Sequence, residues 1–183
     1  MVTSAVGGTF LGDVMKKQRG FSLIELLIVV AIILVIAAIA IPNLLRSKIA
    51  ANESAAVSAV RTINTAELTY SSSWGSGYSA NLTSLGGASP CLIATAAAAC
   101  LIDPLLSVAP FTKSGYTFIA AGNTPVNGVN NGFEVNASPV LVDVTGKRAF
   151  CSDQTGLIRY NVTGAPIGTG AGNCAAALQL VGN

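Results

Sequence analysis

Between Phe21 and Ile41 the chain runs for 21 residues with only two polar side chains, Ser22 and Glu25, and from Leu26 to Ile41 the apolar run is unbroken for 16 residues. As a helix rising about 1.5 Å per residue, the segment extends about 31 Å, the thickness of a bilayer's hydrocarbon. A helix apolar on every side has no face to give to water, so it needs lipid or other helices around it. Composition agrees: 51% of the residues are hydrophobic and 10% charged, against roughly 25% charged in soluble domains. Lys16, Lys17 and Arg19 stand just before the run, opposed only by Asp13. Such a basic cluster holds its end of the helix in the cytoplasm and sends the chain after Pro42 to the far side. A cleaved secretory signal fits less well. Its apolar core is usually about 7 to 15 residues long, and Ala37, Ala38 and Ala40 lead into Ile41-Pro42-Asn43 instead of a polar mature start.

A carboxylate near the start of such a segment needs a reason, because a charge in a bilayer costs a few kcal/mol and usually marks a functional site. Taken alone, Glu25 is close enough to the cytoplasmic edge to snorkel to water. Its surroundings are more specific. The string Lys16-Lys17-Gln18-Arg19-Gly20-Phe21-Ser22-Leu23-Ile24-Glu25-Leu26 resembles the class III leader of type IV pilins and the related pseudopilins. The resemblance implies that a membrane aspartyl peptidase cuts between Gly20 and Phe21 on the cytoplasmic side and N-methylates Phe21. It also implies that Glu25 of one subunit pairs with the new amine of its neighbour. A buried ion pair is a modest source of stability but a good register device, since a subunit out of step leaves a charge unmatched.

The expected organisation is a leader over residues 1–20, with Met15 as the suspected true start, then a membrane and filament-core half-helix over 21–42. An amphipathic half-helix follows over 43–74 and a β-rich head over 75–183. Pro42 lacks the amide that would bond the carbonyl of Ala38, so a kink or local unwinding is expected near 38–42, where the resembled family also carries a proline. Beyond it Ile49, Ala56, Ile63 and Tyr70 recur every seven residues, with Val60 between and Ser54, Ser58, Arg61 and Asn64 pointing elsewhere. One apolar stripe on a polar helix should pack against a sheet. Glu53 and Glu67, interleaved with it, argue against a coiled coil. The polar, glycine-containing run Ser71 to Gly77 ends the helix.

Residues 78–112 read as a loop-rich connection with helical turns near Ala94 to Ala99. Strand signals follow at Tyr116–Ala120, Phe133–Ala137, Pro139–Asp143, Arg148–Cys151 and Leu157–Tyr160, with a hairpin turn at Asp153 to Gly156. The fold class is α+β: a long N-terminal helix packed on a small antiparallel sheet, in the manner of the type IV pilins it resembles. Cys91, Cys100, Cys151 and Cys174 allow three pairings. Export favours disulfides, and the sequential pairs close the shortest loops, each contributing about 3 kcal/mol on the chain-entropy model. The second would staple a glycine-rich tail to the sheet, as in many pilins.

No catalytic residue, metal site or cofactor is expected. The chain has no histidine, which removes the usual nucleophile and base pairs and, with the cysteine spacing, argues against zinc. Asp103, Glu134, Asp143 and Asp153 read as solvated surface charge, and Lys147-Arg148 as a solvent-facing turn pair. Without residues 1–20, Lys+Arg falls from 10 to 7 and Asp+Glu from 8 to 7, so composition gives no case for a nucleic-acid partner. Asn81-Leu-Thr83 and Asn161-Val-Thr163 match a glycosylation pattern too short to carry weight.

The resemblance therefore implies a structural subunit that forms a helical homo-oligomer through its N-terminal helix. Its partners would be a prepilin peptidase, a cytoplasmic assembly ATPase and a platform protein. It would sit in the bacterial inner membrane as a single-pass protein before assembly and in a surface filament afterwards. A pseudopilin of a type II secretion system, which would stay in the periplasm, shares the leader and the helix. A DNA-uptake subunit and a helix-anchored enzyme are more distant readings.

Overall fold

The computed structural model describes residues 20–87, 90–176 and 179–181; of the leader expected over residues 1–20, all but Gly20 lies outside them. Three helices, α1 (Leu23–Trp74), α2 (Leu82–Leu85) and α3 (Pro104–Ser107), are joined by six strands. The strands are β1 (Thr112–Lys113), β2 (Tyr116–Val126), β3 (Val129–Pro139), β4 (Ala149–Asp153), β5 (Ile158–Asn161) and β6 (Gln179–Leu180). They form one sheet in sequence order, antiparallel throughout. This is the α+β arrangement of a long apolar N-terminal helix and a small antiparallel sheet. The chain divides into two compact units, one ending at Ile41 and the other beginning at Pro42.

In the first unit α1 is long and apolar enough to cross a membrane, and none of its most apolar stretch is buried. Pro42 lies inside α1, and helical structure continues through residues 38–42.

In the second unit Ala56, Val60, Ile63 and Tyr70 are buried, joined by Ala59 and Ala66, while Ile49 is half-buried. Three alanines on this stripe keep the helix surface low, so the sheet's aromatic side chains can meet it closely. Tyr116, Phe118, Phe133, Val135 and Phe150 complete the core. Asn64 departs from the expected pattern: it is buried and its side-chain amide donates to Ser152 Oγ at 2.7 Å.

Both long strands exceed the five residues their alternation suggests, because Asn127-Gly128 makes a two-residue hairpin turn with φ of 51° and 80°. Such a turn needs left-handed backbone at both positions and favours this dipeptide. The Asp153 to Gly156 turn forms as expected, with Gly156 N–H donating to the Asp153 carbonyl at 2.9 Å.

Two expectations fail. Pro139–Asp143 is not a strand. Tyr116, the first residue of β2, pairs with Pro139, and the β4 register reaches only to Ala137 opposite Phe150, so no strand runs beside residues 140–143; Val140 N–H donates to the Gly115 carbonyl at 3.0 Å and Val142 makes an isolated bridge with Gly146. They form a tight loop instead, closed by Thr145 N–H to the Leu141 carbonyl at 2.9 Å and Asp143 N–H to the Gly146 carbonyl at 2.8 Å. The helical turns expected near Ala94 to Ala99 are also displaced. Alanine propensity is a weak preference, and here it yields to a cross-link: Cys91 is bonded to Cys100, and Thr95 and Ala98 exchange two backbone bonds of 3.0 Å inside that loop. The short helices form where caps exist, with Asn81 Oδ1 accepting from Ser84 N–H and Asp103 Oδ1 from Leu105 N–H.

Gly146 closes the 140–146 loop against the ring of buried Tyr116, where an added methyl would overlap the phenol. Gly146→Ala is expected to cost about 1–3 kcal/mol through overpacking, read as a lower urea midpoint of unfolding.

Candidate assembly site

The N-terminal end of α1 is capped by its own sequence. Ser22 precedes the helix, Ile24 N–H donates to Ser22 Oγ at 3.4 Å, and Ser22 N–H donates to Glu25 Oε2 at 2.9 Å. The pattern is that of a Ser-x-x-Glu capping box, legible in Ser22-Leu-Ile-Glu25, with Ser22 Oγ taking the N–H of Ile24 in place of that of Glu25. A carboxylate in the first turn also meets the positive end of the helix dipole. Phe21 next to it is 81% exposed. While the Gly20–Phe21 bond is intact, the nitrogen of Phe21 is an amide, and the cation that Glu25 is expected to meet does not yet exist. Leu23, Ile24, Leu26, Leu27 and the apolar residues after them are exposed all round the helix.

The amphipathic half of α1 carries two more carboxylates, and both face the head. Glu53 Oε1 accepts from the backbone N–H groups of Lys147 and Arg148 at 2.9 and 3.2 Å, and Oε2 from Arg148 Nε and Nη2 at 2.9 and 2.6 Å. Burial pushes this carboxyl upward, but the Arg148 guanidinium and the two amides outweigh it and hold it below the ordinary carboxylate range. Arg148 is therefore a partner of the helix, not the solvent-facing turn residue expected.

Glu67 is fully buried and has no cation. Its oxygens accept from Ser79 N–H at 2.8 Å and Ser79 O–H at 2.6 Å, and burial raises it to about 7 against those bonds. Through this contact the helix holds the segment that returns from Trp74 to the sheet, where Tyr78 and Asn130 bond each other.

Two acids expected on the surface are inside. Glu134 and Asp153 face each other across β3 and β4, and both are buried. Burial raises Glu134, against the pull of the backbone N–H groups of residues 172–174, and Asp153 raises it further. Cys174 N–H donates to Glu134 Oε2 at 3.1 Å, Cys151 is bonded to Cys174, and Asn136 holds Ile167 and Gly168. The C-terminal loop is thus fastened at three points, of which the sequence signalled only the disulfide. Asp103 and Asp143 do lie toward solvent, paired with Lys113 at 2.6 Å and Lys147 at 3.8 Å. Among the described residues no group of three His, Cys, Asp or Glu could hold a metal ion.

The family model for the prokaryotic N-terminal methylation motif matches residues 15–41. A relative described as a type IV wide pilus major component, PilA4 of Thermus thermophilus, is 56% identical over 39 residues, which is 21% of this chain and 30% of the relative. The chain therefore spans less than a third of the curated relative it matches. No solved structure matches it.

The raised Glu67 fixes the sign of a pH effect. Its protonated form is favoured in the folded head, so that contribution is complete below the unfolded value near 4.5 and is lost as pH rises through about 7. Glu67→Gln should therefore stabilise the head by roughly 3 kcal/mol at alkaline pH and by little in acid, measured by urea unfolding on both sides of neutrality.

Proposed function

We propose, for a chain that is type IV pilin-like in its methylation motif and in its α+β fold, that it is a structural subunit polymerising into a surface filament. The carrying observation is a prepilin-type motif that runs directly into a membrane-length helix whose most apolar stretch is unburied among the described residues. The type IV pilin family is structural, not enzymatic, and the role proposed for each N-terminal residue is one of processing or packing.

In this reading a prepilin peptidase hydrolyses the Gly20–Phe21 bond and methylates the amine of Phe21. The cut replaces a neutral amide with a cation on Phe21, the residue before the capping Ser22. Glu25 then meets the matching cation of a neighbouring subunit, favoured by direct attraction and by the helix dipole. In a bundle of apolar helices a misplaced subunit leaves one of these charges unmatched, which costs about 3–5 kcal/mol. An assembly ATPase and a platform protein move the subunit out of the membrane, where α1 is anchored beforehand. Pro42, with the Ala38 carbonyl unbonded by its missing amide, is the place where α1 loosens or bends when neighbours pack around it.

Cys151–Cys174 and the clamps on the C-terminal loop suit a head that must survive outside the cell, which favours the pilin over the secretion pseudopilin. Imaging of native cells decides between them: extended fibres containing this chain are expected, and a chain confined to the periplasm overturns the pilin reading. Mass spectrometry of the mature protein should find N-methylphenylalanine at Phe21, and Gly20→Ala should block that processing.

The capping box supplies a sharper test of Glu25. Glutamine keeps the cap but loses the charge. Glu25→Gln should lower fibre yield nearly as far as Glu25→Ala, at least about tenfold for an unmatched buried charge, with export unchanged. Near-native fibre yield from the glutamine variant would assign Glu25 to helix capping instead.

A further inference from the structure

The loop between β3 and β4 carries more exposed apolar surface than its length requires. Val140, Leu141, Val142 and Val144 are 51%, 58%, 46% and 61% exposed, in a turn stiffened by Thr145, whose hydroxyl oxygen accepts from Leu141 N–H at 3.1 Å. Its place in the head follows from three contacts along α1. Asn64 meets Ser152, Glu53 meets Lys147 and Arg148, and Asn52 donates to the Thr145 carbonyl at 2.8 Å. Each step toward the N-terminal end of the helix steps back along the chain from β4 toward this loop. Residues 140–146 therefore lie at the end of the head where α1 enters it.

Cations border the same end. Arg46 and Lys147 share a cavity with Ile49 and exposed Val162, and Lys48 is exposed on the helix. Asp143, the acid within the loop, is paired to Lys147. Apolar side chains on a rigid turn, bordered by lysine and arginine, match the chemistry of an interfacial membrane contact, in which apolar groups enter the boundary of the acyl chains and cations meet lipid phosphates. The occupant follows from chain continuity: the helix that enters the head at this end comes directly from the apolar run ending at Ile41, with Leu44 and Leu45 also exposed.

We propose that this loop seats in the anionic headgroup layer of the membrane that α1 crosses, on the far side, and holds the head of the unassembled subunit against the bilayer. The proposal rests on the reading of α1 as a membrane anchor. Extraction from the membrane would then release a contact in addition to the helix.

The test uses the full chain in vesicles of phosphatidylethanolamine and phosphatidylglycerol brominated near the carbonyl end of the acyl chains. Trp74, the chain's one tryptophan, is replaced by phenylalanine, and single probes are introduced as Leu141→Trp, Val144→Trp and, at the opposite hairpin tip, Val126→Trp. Resistance to alkaline carbonate extraction reports the anchor separately, and failure there defeats the anchor reading itself. In retained protein, emission from the Leu141 and Val144 variants should be at least about threefold more quenched than from the Val126 variant, given an interfacial depth of about 5–10 Å. Equal quenching at both ends of the head overturns the proposal. So does a Leu141 probe that is unquenched in vesicles but shielded from acrylamide in fibres, which would assign the loop to a neighbouring subunit. Circular dichroism of each variant verifies the fold, and two independent probes on the loop guard against one that perturbs it.

Discussion

A helix that is apolar on every side cannot remain in water, and the first half of α1 is such a helix. Among the described residues, none of its most apolar stretch is buried. Burial of apolar surface is worth about 25 cal/mol per Å², so a run from Leu23 to Leu45 with every large side chain exposed is strongly driven toward a low-dielectric surrounding. Lipid and a bundle of identical helices both satisfy that demand. On the proposed reading, a subunit that leaves the membrane for a filament exchanges one such surrounding for the other with little change in the apolar contribution. That reading therefore assigns the choice of position to Glu25, the ionisable group at the helix start.

The second half of α1 solves a different problem, and the same helix carries both solutions. Its alanine-rich stripe lies against aromatic residues of the sheet, while Glu53, Asn64 and Glu67 make specific polar contacts to Arg148, Ser152 and Ser79. Apolar packing is tolerant of small slips along the helix, whereas an unmet buried carboxylate is not. The three polar contacts fix the axial position of the sheet on the helix. A similar logic fastens the C-terminal loop, where Asn136, Glu134 and Cys151 reach it from neighbouring strands.

The chain's charge count misdescribes its surface for the same reason. Glu53, Glu67, Glu134 and Asp153 are buried, while Arg46, Lys48, Arg61 and Lys147 are exposed. Acids spent on interior contacts leave the exterior more cationic than the formal balance, most visibly where α1 enters the head.

Much was legible before any coordinates. The apolar run, the basic flank and the Gly20-Phe21 to Glu25 spacing needed only local reading, because membrane-length hydrophobicity and the methylation motif are both contiguous in sequence. The seven-residue recurrence of Ile49, Ala56, Ile63 and Tyr70 foretold a helix laid on a sheet, and Asn127-Gly128 is the dipeptide of a two-residue hairpin turn, here the one that joins β2 to β3. What only tertiary structure decided was the destination of side chains whose chemistry permits two homes. Val140 to Asp143 has the composition of a strand but lies beside none, and Glu134 and Asp153 have the look of surface charge yet are buried, Glu134 taking the N–H of Cys174 from far along the chain and Asp153 the N–H of Thr155 in its own turn. A carboxylate is stable either in water or within a ring of donors, and local sequence cannot say which donors will arrive.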